Sequence, residues 1–411
     1  MSISGRIAKL IASTAVLFLA LAPSALHAAG DFQFDVSLRK HKSKIFSWLE
    51  AKQIPAGEEQ LFDEFFNRFA LVEFFDPKQK TNLPKVRSNI AAYFRAGKSG
   101  PPYARLNELT RKRMIDIIKE PGLDEVIKYN AMLVLGELNG MLPMLAKVAV
   151  NPKAADSLRV AALVGVQRQA AAGKLNQTTR DALTKLMIPL VMQDQPPGKR
   201  SPEGHAWIRN SAARVLATLH EAGTNAAVVT ALAAGIDDEE APHFMRCGMA
   251  ESLGEIVYPA GAKIDFEKLA ISLGWLVRDA TRAETDRSDR LGGGSPEIPS
   301  RPLLINRLHA VLVGYEGPQG KTGLMPAAAK SPAKSRIDEI HAKVRALYAT
   351  VLDTKTSGPD LYNAIMPKLK DLESSLPQRG SVRKAGLAGE TDPNSDIRGA
   401  RAQAAATQPV R

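Results

Sequence analysis

The sequence predicts an all-α protein built as an α-solenoid of about five helix pairs, with a helical cap before the pairs and further helices after them. The main reason is a twelve-residue phrase that recurs at 127–138, 208–219 and 245–256. Each copy has apolar residues at positions 1, 5, 9 and 12, which fall on one stripe of a helix. Each also has Gly or Ala at position 10, which allows a neighbouring helix to approach closely. Helices that cannot bury such a face alone are typical of stacked repeats.

Length, composition and charge are compatible with this class of fold. The 411 residues can bury a large core, and a hydrophobic content of 45% is ordinary for a folded protein. The formal net charge of +12 favours attraction to anionic polymers or membranes. A solvated basic surface without a polyanionic ligand is the alternative interpretation.

Residues 1–28 have the pattern of a secretory signal peptide. Arg6 and Lys9 precede a mostly apolar stretch at 10–22, Pro23 follows it, and Ala28 or Ala29 offers a small residue for cleavage. We therefore expect export to the periplasm or the extracellular space. The alternative is an uncleaved segment that anchors the protein in the membrane through residues 10–22, although this stretch is shorter than the roughly 20 residues of a transmembrane helix.

The next part of the chain, 31–103, is predicted to be a helical cap region. Within it, 60–75 reads as one aromatic-rich helix that contains Phe62, Phe65, Phe66 and Phe69. These rings are interpreted as buried core at the end of the solenoid, with an aromatic ligand site as the alternative. Another helix is predicted at 83–94.

From residue 104 to 315 the helices are expected to form pairs, and each copy of the phrase is the second helix of its pair. Looser copies begin near Leu158 and at 303–315. Two Pro/Gly-containing insertions, 194–205 and 281–301, separate the first and second helices of two pairs. They are either contact loops or neutral surface insertions.

The C-terminal part is expected to contain a linker at 316–334, two helices within 335–376 and a disordered tail at 377–411. The linker prediction rests on its Gly, Pro, Ala and Lys content, and the tail lacks aromatic residues.

The phrase resembles the second helix of HEAT and armadillo repeats, which has an apolar residue, then Arg or Lys, then Ala, Leu and Gly or Ala at these spacings. The resemblance covers about half of the chain. It implies HEAT-like helix pairs and a surface that binds a protein or another extended ligand. Enzymes are rare among such proteins, so the resemblance also favours a non-catalytic function. It identifies no catalytic residue in this sequence.

A basic residue recurs at position 2 of the phrase, and stacking would align these side chains as a ladder. The members are Lys128, Arg159, Arg209 and Arg246. One interpretation is a cationic groove for an acidic peptide or an anionic envelope polymer. The other is a structural role, in which these side chains pair with groups of neighbouring turns.

The sequence offers little support for catalysis, a metal or a cofactor. The glycine that a phosphate loop ending at Lys321-Thr322 requires is replaced by Tyr315. Asp237 and Glu240 are the best available carboxylate pair, but they are more typical of the residues before a helix. Cys247 is the one cysteine and is interpreted as a small buried hydrophobe. Nucleic-acid binding is not expected, because charge is its only sign.

Together these features predict an exported, non-catalytic binding or scaffold protein whose partner is a protein or an anionic envelope polymer. Two alternatives remain open. One is an enzyme that acts on cell-envelope polysaccharide, which two convergent carboxylates would favour. The other is a structural protein that is anchored in the membrane.

Overall fold

The computed structural model describes residues 34–79, 81–173, 175–198, 200–259, 263–286, 299–356 and 359–379. The signal-peptide prediction for 1–28 and the tail prediction beyond Arg379 lie outside these residues. The described chain is all-helical apart from one isolated bridge between Glu221 and Val257. It divides into two compact units, one ending at His220 and one beginning at Glu221.

The first unit begins with short, irregular helices. The 3₁₀ turn Val36–His41 leads into α1, Lys42–Ala51, and α2 follows at Glu59–Phe65. The single helix predicted at 60–75 is wrong, because the chain continues from α2 as the π-helical turn Phe66–Ala70 and then as the 3₁₀ turn Glu73–Phe75. The changes of helix type turn the four rings to different sides, so that all can be buried.

The phenylalanine cluster is core, as predicted. Phe62, Phe65 and Phe66 are fully buried, and Phe69 is nearly so. Tyr93 meets the rings of Phe65 and Phe66 edge-on, at centroid distances of 5.8 and 5.2 Å. These edge-to-face contacts join the aromatic turns to the following helix, Leu83–Ala96 (α3).

Three consecutive helix pairs complete this unit, where the sequence predicts them. Their first helices are Pro101–Lys119 (α4), Leu142–Val150 (α6) and Gln177–Met192 (α8). Their second helices are Glu125–Glu137 (α5), Asp156–Ala172 (α7) and Pro202–Thr218 (α9). The partners of each pair pack on each other, and α3, α5, α7 and α9 pack side by side in that order.

Small residues let two of these second helices approach closely. A Cβ atom added to Gly136 of α5 would lie 2.8 Å from the backbone Cα of Gly165 in α7. Gly136 occupies position 10 of the first phrase, so the close approach predicted for this position is present. Polar caps fix where three helices begin: Asp124, Asn176 and Ser201 accept backbone hydrogen bonds in the first turns of α5, α8 and α9.

The second unit continues the pairing of helices. Its helices are Ala227–Ile236 (α10), His243–Gly254 (α11), Phe266–Thr285 (α12), Arg301–Glu316 (α13), Leu324–Ala327 (α14), Lys334–Leu352 (α15) and Pro359–Ser374 (α16). Helices α10 and α11 pack as one pair and α12 and α13 as the next, while α11 also packs on α13. Helices α15 and α16 form a hairpin that packs on α12.

The segment predicted as a linker, 316–334, is folded against the second unit. It contains α14, and Leu324 and Ala328 are buried. Thr322 donates a hydrogen bond of 2.6 Å from Oγ1 to the carbonyl of Gly254. Gly/Pro-rich composition resembles a linker, but here it provides the tight turns of a packed connection.

The two insertions are partly helical at their edges. In the first, Ser201 caps α9, so the loop is shorter than 194–205. In the second, α12 extends to Thr285, and 287–298 lie outside the described residues. None of the described helices is long and apolar enough to cross a bilayer.

Candidate functional site

Three of the four predicted basic ladder residues are buried and bonded to the ends of helices. Arg159, Arg209 and Arg246 are only 2%, 4% and 2% exposed. Each donates a hydrogen bond from Nε to a backbone carbonyl in the last turn of the preceding helix. The acceptors are the carbonyls of Ala149, Val191 and Ile236, at 2.9, 3.0 and 2.8 Å.

This contact has a clear electrostatic reason. The last carbonyls of a helix have no partner within the helix and carry partial negative charge, so a guanidinium there provides both a donor and a favourable charge. Lys128 differs, because its ammonium is 3.4 Å from Glu125 on its own helix. The geometry of the three arginines favours the structural interpretation of the ladder over ligand binding.

The first insertion forms hydrogen bonds with residues close to Arg159. Arg200 of the loop bonds to the Asp156 carboxylate and to the carbonyls of Pro152 and Ala154. The next buried group along the chain is His205, whose Nε2 lies 2.6 Å from the Gln193 carbonyl. Burial lowers the pKa of His205, and the nearby guanidinium groups of Arg209 and Arg159 act in the same direction. The loop is therefore bonded to the preceding helix pair through Arg200, and its two ends are joined through His205 and Gln193.

An open groove crosses the exposed side of α3, α5 and α7 and encloses about 240 Å³. Six of its ten lining residues are apolar: Pro84, Ile90, Ala91, Phe94, Leu133 and Val134. The polar lining residues are Arg87, Ser88, Glu137 and Arg168. One helix from each of three successive neighbours contributes to it, so the groove exists only when these helices are packed together. We call it the α3–α5–α7 groove.

The two arginines of the groove differ in their partners. Arg168 of α7 is paired with the Glu137 carboxylate of α5, and both side chains are about half exposed. Arg87 of α3 is half-buried, and its Nε is buried. No residue in the described chain accepts a hydrogen bond from this guanidinium. Arg87 is therefore the uncompensated cation of the groove.

In the second unit, charged side chains converge on Asp279 of α12. Arg246, Arg278 and Arg379 lie 3.1, 3.1 and 2.6 Å from its carboxylate. Burial alone would raise the pKa of Asp279, but the hydrogen bond from Arg379 and the surrounding positive charges hold it below its usual value. The guanidinium groups of Arg278 and Arg379 also stack on Trp275, at 5.4 and 5.2 Å from the ring centroid. This network joins α11, α12 and the chain after α16.

The predicted carboxylate pair lies between α10 and α11. Asp237 follows α10 directly, and both Asp237 and Glu240 are exposed. Local desolvation raises the pKa of Asp237, although the side chain keeps contact with solvent. Pro242 is the N-cap residue of α11.

The remaining candidates for chemistry are the Cys247 thiol and possible metal ligands. Cys247 is a free, buried thiol, as predicted, and burial raises its pKa to about 12. Such a thiol is inert as a nucleophile at neutral pH. The described residues contain no group of three or more His, Cys, Asp or Glu side chains arranged to hold a metal ion.

The groove residues are not marked by any motif in the sequence. Arg87 and Phe94 lie in a helix that the sequence predicts, but no local pattern marks them, because the groove is formed by residues that are far apart in the sequence, from Pro84 to Arg168.

Comparisons with family models, with curated proteins and with solved structures found no match.

Proposed function

We propose that this chain is an exported, non-catalytic binding or scaffold protein, in which a HEAT-like α-solenoid binds a protein or an anionic envelope polymer. Export rests on the signal-like pattern of 1–28. The solenoid rests on the repeated phrase and on the side-by-side packing of α3, α5, α7 and α9. Solenoids offer extended surfaces of this kind for binding.

The α3–α5–α7 groove is the observation that carries the proposal. It is open to solvent, it has a mostly apolar lining, and it contains an arginine and an aromatic ring, which are enriched at protein interfaces. The alternative of a polysaccharide-acting enzyme requires two convergent carboxylates. In this groove Glu137 is already paired with Arg168.

The proposal is tested by capturing partners with a variant in which a large side chain fills the groove. Ala91 lines the groove, and Ala91→Trp would occupy its floor without a change of charge. Lys85 is an exposed residue of the same helix outside the lining, so Lys85→Trp is the matched control. The tagged full chain and both variants are used to capture partners from a native envelope fraction, and each captured component is then purified and its binding measured directly.

The expected result is that one component binds the full chain and Lys85→Trp alike and is lost with Ala91→Trp. Equal binding to all three proteins would show that the groove is not the binding surface. Circular dichroism of each variant confirms that the helices remain folded.

A further inference from the structure

We propose that the α3–α5–α7 groove takes an acidic peptide segment of a partner protein, which inserts one apolar side chain and pairs a neighbouring carboxylate with Arg87. This inference rests on the proposed function, because it names the partner chemistry of the same surface.

The size of the groove favours a side chain over a whole small molecule. Its volume of about 240 Å³ lies below the roughly 300–1,000 Å³ of sites that enclose drug-sized ligands. Leu133 and Val134 are nearly fully buried, and Phe94 forms a partly exposed aromatic wall. A space of this size with these walls fits one large apolar side chain of a docked segment.

The unpaired Arg87 is the reason to expect an acidic segment. Its guanidinium has no hydrogen-bond or ion-pair partner in the described chain, and its Nε is already withdrawn from water. A carboxylate that reaches this group makes a charge-assisted, potentially bidentate contact. The contact is stronger beside an apolar surface than in open solvent, because the local dielectric is lower. The net charge of +12 adds long-range attraction for an acidic segment.

A protein segment fits these features better than an anionic polymer. A polyanion is held by a row of cations along its repeating charges, whereas the groove offers one free cation, since Arg168 is held by Glu137. Three of the four ladder residues that could have formed such a row are buried. The apolar floor would be unused by a polymer that carries only charged and hydroxyl groups.

Binding of peptide pools to the full chain tests the inference. The probes are fluorescein-labelled short peptides with a central Leu or Phe that is flanked by Asp and Glu, by Ser, or by Lys, and dextran sulfate represents an anionic polymer. Fluorescence anisotropy gives each Kd at several salt concentrations. Arg87→Gln removes the charge, keeps most of the side-chain stem and breaks no hydrogen bond or ion pair within the described chain, so it should fold. Arg95→Gln is the control, because Arg95 is an exposed arginine of the same helix outside the groove lining.

We expect the acidic pool to bind more tightly than the Ser pool, and Arg87→Gln to weaken it about tenfold or more. Arg95→Gln should change this Kd less than about twofold, as rim charges do when they act only at long range. Equal binding of the acidic and Ser pools, or equal effects of the two arginine variants, would overturn the inference. The same holds if only dextran sulfate depends on Arg87, because the occupant would then be a polymer.

The groove-filling variant separates this inference from the proposed function. If Ala91→Trp abolishes partner binding while Arg87→Gln leaves it unchanged, the groove is the binding surface but the carboxylate pairing is wrong. If Ala91→Trp has no effect on partner binding, the proposed function fails at this groove.

Discussion

At Gly254 a single added methyl group should damage the fold severely. Gly254 occupies position 10 of the third phrase, at the end of α11, where α11 crosses α13. A Cβ atom at Gly254 would lie 2.0 Å from the carbonyl oxygen of Val313, where ordinary contact begins at 3.4 Å. Because the clashing atom belongs to the backbone of α13, it cannot move aside as a side-chain atom would.

The expected loss of stability follows from this distance. Substitution Gly254→Ala requires a local separation of about 1.4 Å, and a gap of that size removes a large part of the dispersion energy between facing side chains. Overpacking typically costs about 1–3 kcal/mol and occasionally more. Because the clash at Gly254 is with backbone, we place its cost at the upper end, at about 3–4 kcal/mol. The higher helix propensity of alanine offsets about 1 kcal/mol of this cost. We therefore expect a net loss of about 2–3 kcal/mol in the free energy of unfolding, or a Tm about 4–12 °C lower if the second unit unfolds in one step.

Urea denaturation followed by circular dichroism measures this loss, and hydrogen exchange locates it in α11 and α13. The matched control is Gly235→Ala in α10, whose added Cβ would be 3.1 Å from the flexible side chain of Met249. We expect this control to remain within about 0.5 kcal/mol of the parent protein. If Gly254→Ala were as stable as Gly235→Ala, the close backbone approach of α11 and α13 would not exist in solution.

Two further predictions concern the polar interior of the first unit. Arg209→Met should lower the free energy of unfolding by about 1–3 kcal/mol in urea titrations, because it leaves the buried Val191 carbonyl without its donor. Lys128→Met is the comparison variant: it removes only an ion pair of 3.4 Å to the half-exposed Glu125, and it should change this free energy by less than about 1 kcal/mol. Equal losses in the two variants would contradict the structural role of Arg209. The pKa of His205 is lowered in the folded state, so the unfolded chain binds more protons, and stability should be full above the ordinary pKa of 6.5 and fall as the pH drops below it. Denaturation midpoints between about pH 7.5 and 5 should show this fall in the parent protein and a smaller one in His205→Gln, and parallel pH profiles would refute the assignment.

The sequence predicted the helices well wherever one residue pattern repeats. The five helix pairs between 104 and 315 are present as helices that pack on their neighbours, because the apolar stripe and the small residue at position 10 set both the helix and its contact face. The prediction was wrong at 60–75, where the aromatic side chains require changes of helix type that no local pattern specifies. It was also wrong at 316–334, where turn residues serve a packed segment.

What the sequence by itself determined is the class of fold and the position of a recurring cation, because both depend on spacing along one helix. The direction in which that cation points was decided only by the tertiary structure. Arg159, Arg209 and Arg246 turn inward because each preceding helix ends beside them and presents an unpaired carbonyl. The groove is tertiary in the same sense, since Arg87, Leu133 and Arg168 are distant in sequence and meet only when three helices pack side by side.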